Sequence, residues 1–363
     1  MICSSAWTDV NINLGNNTIQ YCCLSKSYPL DLDDIENNIN ITNARAELAK
    51  GIKSSHCDYC WKQYAETGSA PMDTRRLWNN ADEITPGIQS IEIRLDNYCD
   101  MSCIYCSPYH SHKIAKEQEN EDYIVYSSKH EDYLKVINWI KTVKPPVRVS
   151  IIGGEPTYSK NFYTFVEMLI NSGIENLHFA MITNGNTSGV KRNKLHKLLD
   201  LIPKSWRVEI ILSNESIGKQ SELVRYGLDW DTYVQNVDYY NKHPAVRRFR
   251  ATVTVSRYTA KGVYDYLKWL TDFVNKPIVV SGNYISEGPY SVKYSNYDSD
   301  FIKCKELVHK FVNPKIVNNW LDTLIALVNS NNEYDEYNDL VYQAKIKNDL
   351  EILDLTDYDK RRL

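Results

Sequence analysis

The feature that most restricts this chain is an alternation that begins at residue 90 and runs to about residue 280. Residues 90–96 alternate apolar and polar side chains, as a half-buried strand does. Residues 147–152, 177–182, 208–212, 250–255 and 277–280 are short apolar runs. Between them lie 131–143, 162–171, 190–201, 230–242 and 263–273, whose apolar residues recur at helical spacing, as Tyr133, Val136, Ile137 and Ile140 do. Strands separated by helices of ten or more residues pair in parallel, with right-handed crossovers. Six such units predict an α/β fold, either an open sheet or a partial barrel, and fall short of the eight of a closed barrel.

The flanks read differently. Residues 1–85 are rich in Asn, Asp and Ser, and Asn16-Asn17 between the runs 10–14 and 18–22 predicts a tight hairpin turn. Asn43 is the expected cap of a helix that ends near Gly51. The stretch 282–294, rich in Tyr and Ser, reads as a surface loop, with a lining of the substrate pocket as the other reading. Helices are expected over 301–311, 316–327 and 339–347, followed by a charged, solvated end over 357–362. The expected domains are therefore 1–85, 86–290 and a helical extension over 291–363. A net charge of −4 offers no clear nucleic-acid surface. No apolar run approaches the ~20 residues of a membrane span, and the first residues lack a secretion signal, so a cytoplasmic protein is expected.

Eight of the nine cysteines lie in the first 106 residues. In a reducing compartment such clustering means metal or redox chemistry more often than disulfides. Cys99, Cys103 and Cys106 follow directly after the first predicted strand of the alternation. Three thiolates in so short a loop can wrap one corner of a cubane iron–sulfur cluster and leave one iron open. On spacing alone, a zinc site with His110 or His112 as fourth ligand fits as well. Gly153-Gly154-Glu155-Pro156 ends the second strand, where two glycines let backbone approach a ligand and a carboxylate can accept from an ammonium group. Thr183-Asn184-Gly185 ends the third strand and Ser213-Asn214-Glu215-Ser216 the fourth. These are residues that can line the ligand-binding edge of a parallel sheet or simply cap the next helix. A second set comprises Cys3, Cys22 or Cys23, and Cys57-x2-Cys60. The hairpin can bring Cys3 and Cys22 to one point, and spacing from the turn favours Cys22 over Cys23. Four thiolates suit either a full [4Fe-4S] cluster or a structural zinc. Cys304 stands alone in helical pattern. It reads as a buried thiol, with a cluster ligand or a hydrogen-atom donor as the other readings.

The stretch Asn97-Tyr98-Cys99-Asp100-Met101-Ser102-Cys103-Ile104-Tyr105-Cys106 resembles the cluster loop of the radical S-adenosylmethionine (SAM) superfamily. The resemblance covers about residues 90–285 and implies a partial (β/α)6 TIM-like barrel with a [4Fe-4S] cluster on Cys99, Cys103 and Cys106. It places Tyr105 near the SAM adenine, and Gly153, Gly154 and Glu155 at the SAM amino group. It gives Thr183, Asn184, Ser213 and Asn214 to the ribose and methionyl parts. Relatives often carry Asp where this chain has Asn214, which has no carboxylate to offer. The stretch from Arg225 to Trp230 resembles one found with SPASM or Twitch auxiliary-cluster domains, in which Arg225 would pair with the SAM carboxylate or a substrate acid, a surface salt bridge being the other reading. Cys3, Cys22, Cys57 and Cys60 resemble a Twitch-type module over about residues 3–80, carrying a second [4Fe-4S] cluster. In relatives that module usually follows the barrel, and its turn usually carries Gly where this chain has Asn17, a residue that tolerates the same left-handed backbone.

By that resemblance the chain is expected to cleave SAM reductively to a 5′-deoxyadenosyl radical, which abstracts hydrogen from a substrate. A peptide or protein is the first expectation, and a sugar, nucleotide or other small molecule the alternative. An electron donor such as flavodoxin or ferredoxin would be a partner. The reading from a different class is a non-catalytic iron–sulfur or zinc binding protein. The Gly153–Pro156 segment weighs against it, because a structural zinc protein needs no SAM-binding edge.

Overall fold

The computed structural model describes residues 3–67, 87–117, 125–285, 291–295 and 297–329. The helix expected over 339–347 and the charged stretch 357–362 lie outside the described residues, as does part of the stretch 282–294. In chain order the strands are β1 (Asp9–Asn13), β2 (Thr18–Gln20), β3 (Tyr28–Pro29), β4 (Ser90–Arg94), β5 (Ser102–Cys103), β6 (Arg148–Ile152), β7 (His178–Thr183), β8 (Arg207–Ser213), β9 (Arg225–Tyr226), β10 (Val246–Val255) and β11 (Ile278–Tyr284). The chain divides into two compact units, the first formed by Met1–Asn97, Val125–Met181 and Lys194–Val208, the second by Tyr98–Ile124, Ile182–Asn193 and Glu209–Leu363.

In the first unit the strands stand in the order β7-β6-β4-β1-β2-β3. β1 pairs parallel with β4 from Asp9↔Ser90 to Asn13↔Arg94, and β4–β6 and β6–β7 are parallel too. The hairpin partners β1–β2 and β2–β3 are antiparallel. Alternation buries Val10 and Ile12 on β1 and Ile91 and Ile93 on β4. The helices His130–Thr142 and Lys160–Asn171 add Tyr133, Val136, Ile137 and Ile140, and Phe162, Phe165, Val166 and Leu169, to the core. Hairpin residue Asn17 takes φ +57°, as the turn demands, and the Asn13 carboxamide accepts from the Gly15 and Asn16 amides. The helix expected to start at Asn43 instead spans Ile39–Ala49, capped by the Asn38 side chain, which accepts from the Asn40 amide. The reason is its buried stripe of Ile41, Ala44 and Leu48, which begins a turn earlier than the reading allowed.

In the second unit the order is β11-β10-β8, with β10 and β11 parallel from Phe249↔Ile278 to Val255↔Tyr284. β10 begins four residues before the expected start. Its arginines concealed the strand, yet Arg248 and Arg250 both lie 3.0 Å from the fully buried carboxylate of Glu209. β11 runs on to Tyr284, so Gly282 lies in a strand rather than in the expected loop. A Cβ on Gly282 would stand 2.1 Å from the Trp320 indole, so the backbone there must be bare. The expected helix 301–311 resolves into Asp298–Cys304 followed by a 3-10 segment, Lys305–Lys310, and a further helix spans Pro314–Asn329. Cys304 is fully buried, which pushes its thiol up to about 12. No helix among the described residues is long and apolar enough to cross a membrane.

Candidate active site

The three clustered cysteines sit in the second unit, on a loop pinned by a two-stranded ribbon that sequence reading missed. β5 pairs antiparallel with β9, setting Ser102 opposite Tyr226 and Cys103 opposite Arg225. The Ile104 amide adds a bond to the Val224 carbonyl, and the Cys106 amide one to the Cys103 carbonyl, both at 3.0 Å. The Cys99 amide donates to Nδ1 of His112 at 3.0 Å, and Tyr98 packs edge-on against the same ring. His112 therefore spends one ring nitrogen on loop geometry. Burial, then nearby Lys116, holds its imidazole below the usual range, so it stays a neutral acceptor.

Arg225 is the centre of the electrostatics. Its Nη2 meets Glu215 Oε2 at 2.7 Å, with the arginine 8% and the glutamate 0% exposed. Its Nη1 lies 3.9 Å from Cys103 Sγ, and the guanidinium stands 5.7 Å from the centre of the Tyr105 ring. Burial pushes the Cys103 thiol up to about 12, against the pull of Arg225. Burial likewise raises Glu215, with Arg225 opposing. Arg225 itself loses to burial but gains more from Glu215 and Cys103, and stays charged. Four buried polar atoms here have no hydrogen-bond partner: Tyr105 Oη, Glu215 Oε1, Ser216 Oγ and Arg225 Nε. Orphans of this kind cost stability, and a cluster of them fits a site built for a polar ligand.

The end of β7 in this unit closes on the same loop, and the end of β8 reaches it through the Glu215–Arg225 pair. Asn184 donates to one Asp100 carboxylate oxygen at 2.8 Å and Asn186 to the other at 3.3 Å. Asp100 lies inside the cysteine loop, so the Thr183-Asn184-Gly185 segment helps to fix it. Thr183 Oγ1 accepts from the Gly185 amide, holding the turn. Ser213 ends β8, and Asn214 is fully buried, donating to the Ser216 carbonyl and accepting from Ser221 Oγ. Gly185 has φ +74°, and a Cβ there would lie 2.5 Å from the Tyr233 ring. Gly185→Ala is expected to lower unfolding free energy by about 1–3 kcal/mol, measured by denaturant unfolding, since it adds both backbone strain and overlap.

Gly153, Gly154 and Glu155 belong to the first unit. A Cβ at Gly153 would stand 2.9 Å from the Asp96 carbonyl oxygen, so the first glycine is required for close backbone approach. Glu155 is buried and caps the following turn, accepting from the Thr157 amide at 3.1 Å and the Thr157 hydroxyl at 2.6 Å. The buried Asp96 carboxylate, which sequence reading passed over, accepts from the Ser159 hydroxyl and, at 2.9 Å, from Asn161.

Also in the first unit, Cys3, Cys22, Cys57 and Cys60 line one cavity together with Tyr21, Leu24, Ser25, Leu48 and Trp61. Cys23 is exposed and is not among the lining residues. Among the described residues no three or more His, Cys, Asp or Glu side chains close on a point as the ligands of one ion do.

Parallel strand pairing in both units and a thiol-bearing loop beside a buried Arg–Glu pair define the class, an α/β enzyme with its chemistry on loops at strand ends. Residues 93–256 match the family described as the Radical SAM superfamily, a match that supports an enzyme. No curated protein matches the sequence. Among solved structures, SuiB of Streptococcus suis is similar at 16% identity over 92% of this chain and 77% of that one, with a TM-score of 0.44. The structure described as anSMEcpe with bound AdoMet is similar at 20% identity over 62% of this chain, TM-score 0.43. This chain spans only 58% of that protein's length. TYW1, described with a lysine-pyruvate adduct bound, is similar at 14% identity over 58% of this chain and 69% of that one, with a TM-score of 0.36.

Proposed function

We propose that this enzyme cleaves SAM reductively and abstracts hydrogen from a peptide or protein substrate. When bound, a [4Fe-4S] cluster on Cys99, Cys103 and Cys106 supplies the electron that splits SAM into methionine and a 5′-deoxyadenosyl radical. The observation that carries this reading is the cysteine loop itself. Three thiols on one β5–β9-pinned loop lie within the radical SAM match, beside a buried guanidinium and four unpartnered buried polar atoms.

The chain's own residues divide the work. Arg225 stabilises the thiolate of Cys103 and, through its unpartnered Nε, offers a donor to a carboxylate. Tyr105 presents a ring and an unpartnered hydroxyl to the adenine side. Thr183, Asn184, Ser213 and Asn214 shape the ribose and methionyl side, and Gly153, Gly154 and Glu155 serve the SAM amino group. Glu215 holds Arg225 in place. In this reading the radical SAM domain over 86–290 is a partial (β/α)6 barrel, and the helices Asp298–Cys304 and Pro314–Asn329 belong to an extension beyond it. Residues 1–85 form a Twitch-like module with a second [4Fe-4S] cluster on Cys3, Cys22, Cys57 and Cys60. The four thiols' common cavity supports that second cluster. The peptide class rests on resemblance to enzymes with such modules, as does a flavodoxin or ferredoxin as electron donor.

The test is anaerobic reconstitution with iron and sulfide counted, then a SAM assay with a strong reductant and a peptide panel. The expected result is about eight irons per chain, four to each cluster, with 5′-deoxyadenosine formed and raised by peptides. Bound zinc without 5′-deoxyadenosine would overturn the reading. Stimulation by a sugar nucleotide but by no peptide would overturn the substrate class alone.

A further inference from the structure

We infer that Tyr21 donates a hydrogen bond to the Cys57 sulfur and thereby raises the reduction potential of the cluster held by Cys3, Cys22, Cys57 and Cys60. The inference rests on the reading of that cavity as an iron–sulfur site and goes beyond it, because it assigns a tuning role to a residue that ligates nothing.

Tyr21 Oη stands 2.9 Å from Cys57 Sγ, a close approach for oxygen and sulfur. The two residues are 36 positions apart, so only the fold brings them together. Tyr21 follows β2, and its side chain is 2% exposed and lines the same cavity as the four cysteines. In the free pair either atom could be the donor, but a sulfur that ligates a cluster carries no proton, so with the cluster bound the phenol must donate. The Leu24 amide adds a weaker donor to Cys22 Sγ at 3.5 Å.

The physical consequence is specific. Each electron added to a cluster increases the negative charge on its sulfurs, and a hydrogen bond to such a sulfur stabilises the reduced state more than the oxidised one. The phenol is itself buried, so its dipole is less screened than it would be in water. A phenylalanine would fill the same space and pack equally well. The hydroxyl is therefore the part of the side chain that packing alone does not require.

The experiment uses the full chain with Cys99, Cys103 and Cys106 changed to Ala, so that only this cavity can hold iron. Iron, sulfide and zinc are counted, and the cluster is titrated potentiometrically by EPR with Tyr21 present and in Tyr21→Phe. The expected result is about four irons in both proteins. In the phenylalanine variant the ratio of reduced to oxidised cluster at fixed potential should fall about tenfold, which is about 59 mV downward for one electron. Equal potentials with equal iron would overturn the tuning role and leave the cluster reading standing. Zinc in place of iron in the Tyr21 protein would overturn both. Should Tyr21→Phe lose its iron, ring-fluorinated tyrosine at position 21 decides, because it keeps the shape and is a stronger donor. An upward shift would support the inference, and an unchanged potential would overturn it.

Discussion

Changing Cys99, Cys103 and Cys106 together to Ala is expected to bring 5′-deoxyadenosine down to the level of a control without enzyme. Iron should fall by about four per chain. The loss should be chemical rather than structural. The loop is held by backbone bonds between Cys103 and Arg225 across β5–β9, and by Ile104 to Val224, none of which involves a thiol. The Asp100 carboxylate keeps its bonds from Asn184 and Asn186 as well. Circular dichroism and denaturant unfolding should therefore match the parent apoprotein. A triple variant that still cleaved SAM would overturn the assignment of the site.

Arg225→Ala should do the opposite and damage the fold along with the activity. It leaves Glu215 fully buried and without its counter-charge, and loss of one partner from a buried ion pair costs about 3–5 kcal/mol. The pH dependence follows from the direction of the shift. Burial already holds Glu215 above the ordinary carboxylate range, with Arg225 pulling it back. Without the arginine it moves further up. A carboxyl raised on folding contributes stability that is complete below its unfolded pKa and is lost as pH rises through its folded pKa. The deficit of Arg225→Ala relative to the parent should thus be largest at neutral and alkaline pH and shrink toward about pH 4. Denaturant unfolding across that range measures it. A deficit that grew on acidification would contradict the pairing. Replacing both partners, Arg225→Met with Glu215→Leu, should recover much of the stability and none of the SAM cleavage, because an apolar pair fills the space without holding Cys103.

Much of this protein could be read in one dimension. The strands and helices from 90 to 284 fell close to where periodicity put them, because a helix or strand that must bury one face shows its period in its own residues. The cysteine loop was legible for the same reason: its three thiols lie within eight residues, so no folding step is needed to bring them near one another. The left-handed Asn17 was readable because backbone strain is local.

What only the tertiary structure decided involves pairs distant in the chain. Glu215 and Arg225, ten residues apart, looked like a polar strand end and a surface cation, yet become one buried ion pair facing Cys103. Asp100 and Asn184 are 84 positions apart, and Asp96 and Asn161 are 65 apart. The choice of Cys22 over Cys23 had leaned on spacing from a turn, and the fold gives one to a cavity and the other to the exposed surface. Tyr21 carried no signal, being one of 27 tyrosines until burial set its hydroxyl against Cys57. The division has one physical cause. Periodicity, turns and short motifs depend on neighbours in sequence, whereas the energy of a charge or a polar hydrogen depends on what surrounds it after folding, and those surroundings come from distant parts of the chain.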